Sequence, residues 1–500
     1  MPKSRLVTSV PPTRVRRLNA EAVRADGDFV LYWMVANRRP RWNFALQYAV
    51  EQAQALDRPL VVLEALGCRH RWANDRSHRF VIDGMADQAE AFQNAPVLYH
   101  PYVEPSPGAA RGLIEALGRR ACLVVTDDWP CEFVPRIQAK AAQLLPVPLE
   151  AVDASCIVPM REAERAYPRA HGFRRYLQGC LREHLAVIPL KNPLARRRLK
   201  SLGQLPADIV SRWPAADIES LREPRGLAGL AIDHSVAAVE ERGGWRAGSD
   251  RVSRFIKQAL GRYVEAGRHP DSDGTSGLSP YLHFGHVSAH EVVDAVLAWE
   301  DRFPEDLPEQ GVGGRAGWWG VGDPAEAFLD QVITWRELGF NMCAQSDDYA
   351  DYDSLPEWAR RTLAEHENDA REHTYDLDAF DRGATHDELW NAAQRQLRES
   401  GRMHNYLRML WGKKILEWTS SPREALRVME ELNNRYALDG RDPNSYQGIT
   451  WILGRFDRAW GPERPIYGKI RYMTSENTRR KLKLREYLER WGSPPAGLWS

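Results

Sequence analysis

The chain has 500 residues, 43% hydrophobic and 27% charged, and its 68 basic residues balance its 68 acidic ones. No apolar run reaches the about 18 residues that a membrane span needs, and the polar N-terminus lacks the apolar core of a secretory signal. The six cysteines (Cys68, Cys122, Cys131, Cys156, Cys180 and Cys343) are scattered without a CxxC pair, which argues against a disulfide framework or a zinc site and fits a soluble protein of a reducing cytoplasm.

Residues 1–24 carry Pro11, Pro12 and several arginines with little periodicity and read as a flexible basic arm. From Asp28 short apolar runs alternate with helical stretches. Strands are expected over 29–35, 59–66, 97–102, 121–126 and 149–152, with helices near 41–56, 77–94, 108–119 and 134–144 between them. That alternation predicts a parallel sheet covered on both faces, a Rossmann-like α/β domain over 25–188. No GxGxxG follows the first strand, so the usual dinucleotide fingerprint is absent. Residues 189–245, rich in Pro, Gly and Arg, read as a connector. The signals over 246–490 are almost wholly helical, and 491–500 form a tail. Within the helical part, Asp323-Pro324-Ala325-Glu326 reads as an N-cap with Pro in the first turn. Thr385-His386-Asp387-Glu388 and Ser421-Pro422-Arg423-Glu424 read as capping boxes.

Charge is uneven along the chain. Eight basic residues face one Glu from Arg464 to Arg485, a stretch that could meet phosphates or be a solvated basic face. Gly274-Thr275-Ser276-Gly277-Leu278-Ser279 places hydroxyls and glycines before a helix, which suits a pyrophosphate or an ordinary helix cap. His404, Arg408 and Trp411 share one helix face, and Arg408 needs a carboxylate, for which Asp439 is the nearest good candidate. Trp411 and Trp418 lie about 10 Å apart along that helix and nearly on one face. That spacing permits electron hopping and equally permits two core indoles. Trp335 and Trp451 could wall a site for flat bases or pack a core. His283, His286 and His290 have a helical metal-binding spacing, but no Cys or acid completes a set, and no metal is expected.

Taken in order, Leu389-Trp390-Asn391-Ala392-Ala393-Gln394, Met403-His404, Leu407-Arg408-Met409, Trp411, Lys413 to Trp418, Asp439 to Asn444 and Glu463 to Met473 resemble the photolyase/cryptochrome family. Within it they resemble the class II cyclobutane pyrimidine dimer photolyases. The resemblance runs from about residue 28 to 490 and is strongest in the last third. It implies an N-terminal antenna domain followed by an all-α domain that binds FAD, and light-driven electron transfer that splits a dimer flipped out of UV-damaged DNA. Tyr263, Thr275, Ser276, Leu278, Ser279 and Arg336 would line the cofactor. Arg408 would pair with Asp439 beside it, and Asn433 would face flavin N5. Trp390, Trp411 and Trp418 would form the electron relay. Trp335, Asn405, Tyr406, Met409, Arg441 and Trp451 would meet the lesion. An antenna pigment, better matched by an 8-hydroxy-deazaflavin than by a folate, and a monomeric, cytoplasmic protein that associates with DNA and needs no protein partner are also implied.

Three positions depart from the class II pattern. Gln331 stands where Glu is usual, and Gln also resembles the (6-4) photolyases, so the lesion type stays open between the two. Asn405 replaces the usual Gly after Met-His. Arg41-Trp42-Asn43 stands where an Asp-Asn pair begins the antenna helix. A cryptochrome-type light sensor and a non-photochemical nucleotide binder remain as alternatives, the sensor being expected to carry a long C-terminal tail.

Overall fold

The structure is a computed structural model that describes residues 8–195, 198–272 and 274–492. The chain divides into two compact units. One comprises 1–163, 179–254 and 277–309, and the other 164–178, 255–276 and 310–500. The expected single cut near a 189–245 connector is therefore replaced by interleaved segments. Residues 189–245 fall in the first unit, as do 246–254 and 277–309, whose helical periodicity matches that of the second.

The first unit is built on a six-stranded sheet. Its strands are β1 (Val15–Arg17), β2 (Phe29–Met34), β3 (Leu60–Leu66), β4 (Val97–Val103), β5 (Ala121–Asp127) and β6 (Leu149–Val152), in spatial order β1-β6-β5-β2-β3-β4. The five expected strands are all present and pair in parallel. β1 adds an antiparallel edge, with Val15 opposite Val152. The segment expected as a flexible arm thus contributes a strand, and its Arg14 is buried, donating to the carbonyls of Cys156 at 2.9 Å and Ile157 at 2.6 Å. Residues 1–7 of that arm lie outside the described residues. Val30, Tyr32 and Met34 face one core with Phe44 and Leu46 of α1 (Phe44–Ala55). Phe29, Leu31 and Trp33 face the other, with Leu113 and Leu117. This alternation, apolar on both faces, is what a parallel sheet with two helical layers requires. The remaining α-helices up to residue 258 are α2 (Asp75–Gln93), α3 (Leu113–Gly118), α4 (Val134–Leu144), α5 (Ala170–Ala186), α6 (Ala207–Arg212), α7 (Ile218–Arg222) and α8 (Trp245–Gln258), of which α5 and α8 are divided between the two units. The helix expected over 108–119 is shorter because Gly112 at φ 88° breaks it.

Every described element that lies wholly in the second unit is helical. After α9 (Tyr263–Ala266), and after α10 (Ser279–His283) and α11 (Ala289–Trp299) of the first unit, come α12 (Asp323–Leu329), a π-helical turn (Asp330–Trp335) and α13 (Arg336–Gln345). Then follow α14 (Glu357–Glu365), α15 (Leu377–Arg382), α16 (Glu388–Ser400), α17 (Asn405–Trp418), α18 (Pro422–Tyr436), α19 (Pro443–Ile452), α20 (Ser475–Lys481) and α21 (Arg485–Trp491). Ser421 caps α18 as expected, accepting from the Glu424 amide at 3.2 Å. The cap of α16 is Asp387, not Thr385, since Asp387 accepts from the Leu389 and Trp390 amides while Thr385 is held by Asn391. Asp323 is the first residue of α12, with Gly322 as its cap. Helices α16, α17, α18, α19 and α13 pack on one another, and a Cβ on Gly412 would meet Ile452 Cγ1 at 2.8 Å and Met429 Sδ at 3.0 Å, so α17 approaches α18 and α19 closely there.

Candidate active site

The expected relay residues come together in the core of the second unit. Trp390 on α16 is 0% exposed, and Trp411 and Trp418 on α17 are each 3% exposed. The Trp390 and Trp411 rings are nearly parallel, 5° apart, with centroids at 6.4 Å, and the Trp390 and Trp418 centroids are 6.0 Å apart at 66°. The indole of α16 is therefore the middle member, between two indoles of α17. Its position is fixed by polar contacts: Trp390 Nε1 donates to the Trp411 carbonyl at 3.0 Å and Trp411 Nε1 to Gln394 Oε1 at 2.9 Å. At the far end Trp418 meets His386 at 4.9 Å and Tyr375 at 5.7 Å, and the Tyr375 hydroxyl bonds His386 Nδ1 at 2.7 Å. Burial and the stacked His373 hold the His386 imidazole below its usual pKa.

A polar cluster lies at the start of α17 and the end of α18. Arg408 Nη2 meets Asp439 Oδ1 at 3.2 Å, the pairing expected from the sequence. Both side chains are partly exposed, so the pair keeps hydrogen-bonding capacity for a ligand. Asn433 is buried on α18 and gives its amide hydrogens to Asn434 Oδ1 and Ser445 Oγ, each at 3.1 Å. That leaves its carbonyl oxygen as the group available to an N–H donor. Ser445 Oγ also donates to the Asp439 carbonyl at 2.8 Å, which ties the Asp439 turn to the start of α19. Arg441 sits in this turn at φ 64°, a left-handed conformation that costs a non-glycine residue about 1 kcal/mol or more. Asn434 Oδ1 accepts its amide at 2.8 Å and holds it there.

The segment from Tyr263 to Ser276 is tied to the same end of α17. His404 Nε2 bonds the Gly267 carbonyl at 3.0 Å, and Arg402 Nη2 approaches Thr275 Oγ1 at 3.5 Å. Tyr263 packs on Phe328 at 5.3 Å, and burial pushes its phenol up to about 12. Ser276 is half-buried. Leu278 and Ser279, expected to share the cofactor with these residues, are grouped with the first unit, where Leu278 is buried and Ser279 exposed.

The expected lesion residues are distributed over three elements and the turn that carries Arg441. Gln331 and Trp335 lie on the π-helical turn, Gln331 exposed and Trp335 half-buried, and Arg336 follows at the start of α13, buried with its guanidinium 4.5 Å from the Phe340 ring. A π-helical turn shifts the register of the side chains around it, and such turns concentrate at functional sites. Asn405 is the exposed first residue of α17, while Tyr406 and Met409 are half-buried. Trp451 is half-buried on α19, which packs on α13 where a Cβ on Gly339 would come within 3.0 Å of the Pro443 carbonyl.

Comparison with known proteins decides what this arrangement belongs to. No family model matches the chain. A deoxyribodipyrimidine photo-lyase from Methanothermobacter thermautotrophicus is 34% identical over 482 residues, which cover 95% of this chain and 97% of that protein. Proteins of the same name from Potorous tridactylus and Arabidopsis thaliana are 32% and 31% identical, each over 96% of this chain and over 84% and 92% of their own lengths. The chain belongs to the deoxyribodipyrimidine photo-lyase family. Among solved structures, a bacterial class III photolyase from Agrobacterium tumefaciens shares the fold, with a TM-score of 0.64 at 16% identity over 93% of this chain and 86% of that one.

For a photo-lyase family member, two features of the second unit escape sequence reading. Lys413, next but one to Trp411, is 0% exposed, whereas a lysine inside a helix reads as solvated whatever surrounds it. Tyr375 and His386 end the indole row, yet His386 reads as part of a helix cap. The basic stretch 464–485 is partly neutralised by its own surroundings: Lys469 pairs with Glu463 at 3.0 Å, Arg479 with Glu388 at 3.4 Å, and Arg480 with Glu476. In the first unit, Asn43 of the departing Arg41-Trp42-Asn43 segment caps α1 and also donates to the Tyr32 hydroxyl at 3.2 Å. His286, from the trio with metal-like spacing, accepts from the Gly244 amide at 2.9 Å and stacks on Phe80. Among the described residues no His, Cys, Asp or Glu group is arranged to hold a metal ion, and no helix is long and apolar enough to cross a membrane.

Proposed function

We propose that this chain binds FAD in its second unit and, in light, splits cyclobutane pyrimidine dimers flipped out of UV-damaged DNA, in the manner of a class II photolyase. The full-length similarity to relatives each named deoxyribodipyrimidine photo-lyase carries this reading. The donor set fits the cofactor. Asn433 offers an acceptor to an N–H, Arg408 and Asp439 offer a paired donor and acceptor, and Thr275, which Arg402 approaches, adds a hydroxyl. When bound and reduced, FAD supplies an electron donor that near-UV or blue light can excite.

The chain's own residues orient the partners and manage charge. Arg408 and Asp439 present a fixed dipole whose two charges are held in register by α17 and the Ser445-anchored turn. The Asn433 carbonyl favours a proton at the position it faces. An electron that leaves Trp411 is replaced from Trp390 and then from Trp418, over two contacts of 6.4 and 6.0 Å between buried rings. Trp335 and Trp451 give the flipped bases apolar surfaces to stack on. A dimer costs less to flip than an intact pair because its stacking is already impaired. Arg441 meets the lesion beside them, and the basic stretch holds phosphates without reading sequence. An antenna pigment of deazaflavin or folate type would add light capture and leave these roles unchanged.

Gln331 favours one second reading, repair of (6-4) lesions, because an amide offers hydrogen bonds but no charge. The test is an illuminated repair assay on two duplexes, one with a cyclobutane dimer and one with a (6-4) product. Faster restoration of the cyclobutane duplex supports the proposal. Faster restoration of the (6-4) duplex moves the assignment to that lesion, and restoration of neither removes repair altogether.

A further inference from the structure

Lys413 buries an ammonium where an apolar side chain would pack at lower cost. It is 0% exposed, and its Nζ donates to the carbonyl of Ile452, the last residue of α19, at 2.5 Å. The same Nζ lies 5.3 Å from the centre of the Trp451 ring. A cation is well placed at this end of a helix, where carbonyls lack partners and the helix dipole is negative. The indole continues outward into an alternation of cations and rings. Arg471 lies 5.8 Å from Trp451 and 5.1 Å from Trp460, and Arg458 lies 4.5 Å from Trp460. Such contacts strengthen where water is excluded.

We propose that Lys413 is a positioning residue for lesion recognition: by capping α19 and lying against Trp451 as an ammonium, it fixes the indole on which a flipped-out dimer stacks. This rests on the photolyase reading above, in which Trp451 meets the lesion. The ammonium acts through Trp451 and touches no substrate itself. Its charge is the active feature, because the neutral amine would keep the bond to Ile452 and lose the attraction to the ring.

The surroundings make that charge adjustable. Burial pulls the Lys413 pKa down to about 7, Asp457 opposes the shift and Arg471 reinforces it. The other ionisable groups at hand are Tyr467, whose hydroxyl donates to the Lys413 carbonyl at 2.8 Å, and Glu417, which that hydroxyl also meets at 3.1 Å. Lesion binding that prefers the ammonium takes up a proton, so preference for damaged DNA falls as pH rises above about 7.

The experiment measures the affinity of the FAD-loaded protein for a dimer-containing duplex and for its undamaged counterpart, in the dark, from pH 7 to 9. It compares the native chain with Lys413→Met, Lys413→Gln and Trp451→Ala, and checks flavin content and melting temperature for each. The ratio of the two affinities should fall about ten-fold across that range in the native chain and stay low and flat in all three variants. Lys413→Met combined with Trp451→Ala should lose no more than Trp451→Ala alone. A pH-dependent preference that survives in Lys413→Met or in Trp451→Ala, or equal losses on damaged and undamaged DNA, overturns the proposal. If the lysine variants do not fold, the native and Trp451→Ala profiles decide by the same criterion. A native protein with no preference for damaged DNA at any pH overturns the photolyase reading itself, a result distinct from the loss of Lys413's part in it.

Discussion

Gln331 departs from the class II pattern, and Lys413 buries an ammonium inside α17. Gln331 is exposed on the π-helical turn, so substituting an acid there costs little burial energy. On the proposed cyclobutane reading, Gln331→Glu supplies the acid of the class II pattern and should raise the repair yield per absorbed photon; an unchanged or lower yield in a steady-illumination assay would count against that lesion. Lys413 also leaves a signature in stability. Its pKa is about 7 in the fold against 10.5 ordinarily. Between those values the unfolded chain holds a proton that the folded chain has lost, so the group adds stability as pH rises, at up to about 1.4 kcal/mol per pH unit. Below about 7 both states hold the proton and the slope vanishes. Urea unfolding at pH 7, 8 and 9 should show an excess upward slope in the native chain that Lys413→Met lacks.

Among the elements, α16 and α17 carry the argument. Because Trp390 lies between Trp411 and Trp418, Trp390→Phe should slow photoreduction of the oxidised flavin as strongly as Trp411→Phe does. Dimer repair by chemically reduced protein should stay nearly intact in both. Equal loss of both activities would assign these indoles to packing alone. The sequence placed all three on helices but could not order them, since only Trp411 and Trp418 share an element and the middle member comes from another. Arg408 and Asp439 were legible because a buried-face arginine needs a carboxylate and few lay within reach. Gly412 is a different case. Its role is visible only from the approach of Ile452 and Met429, and Gly412→Ala should lower stability by about 1–3 kcal/mol through overpacking, measured by the denaturant midpoint.

At the scale of the molecule, the parallel sheet was readable because strands buried on both faces are continuous apolar runs, as Phe29 to Met34 and Ala121 to Asp127 are. β1 was not readable: Val15-Arg16-Arg17 is short, basic and an edge strand, and it is held by its pairing with β6. The division into units was also hidden, because segments such as 164–178 and 277–309 join units remote in sequence, and local periodicity carries no information on that choice. Family membership rests on similarity over 95% of the chain, and the proposed chemistry requires the second unit to gather cofactor, indole row and lesion surface into one light-dependent reaction. The most direct measurement is the wavelength dependence of dimer splitting by the flavin-loaded, reduced protein, set against a dark control. The account predicts no splitting in the dark and a rate that follows the near-UV and blue absorption of the bound chromophores. Splitting in the dark, or no splitting at any wavelength by protein that has retained its flavin, would contradict it.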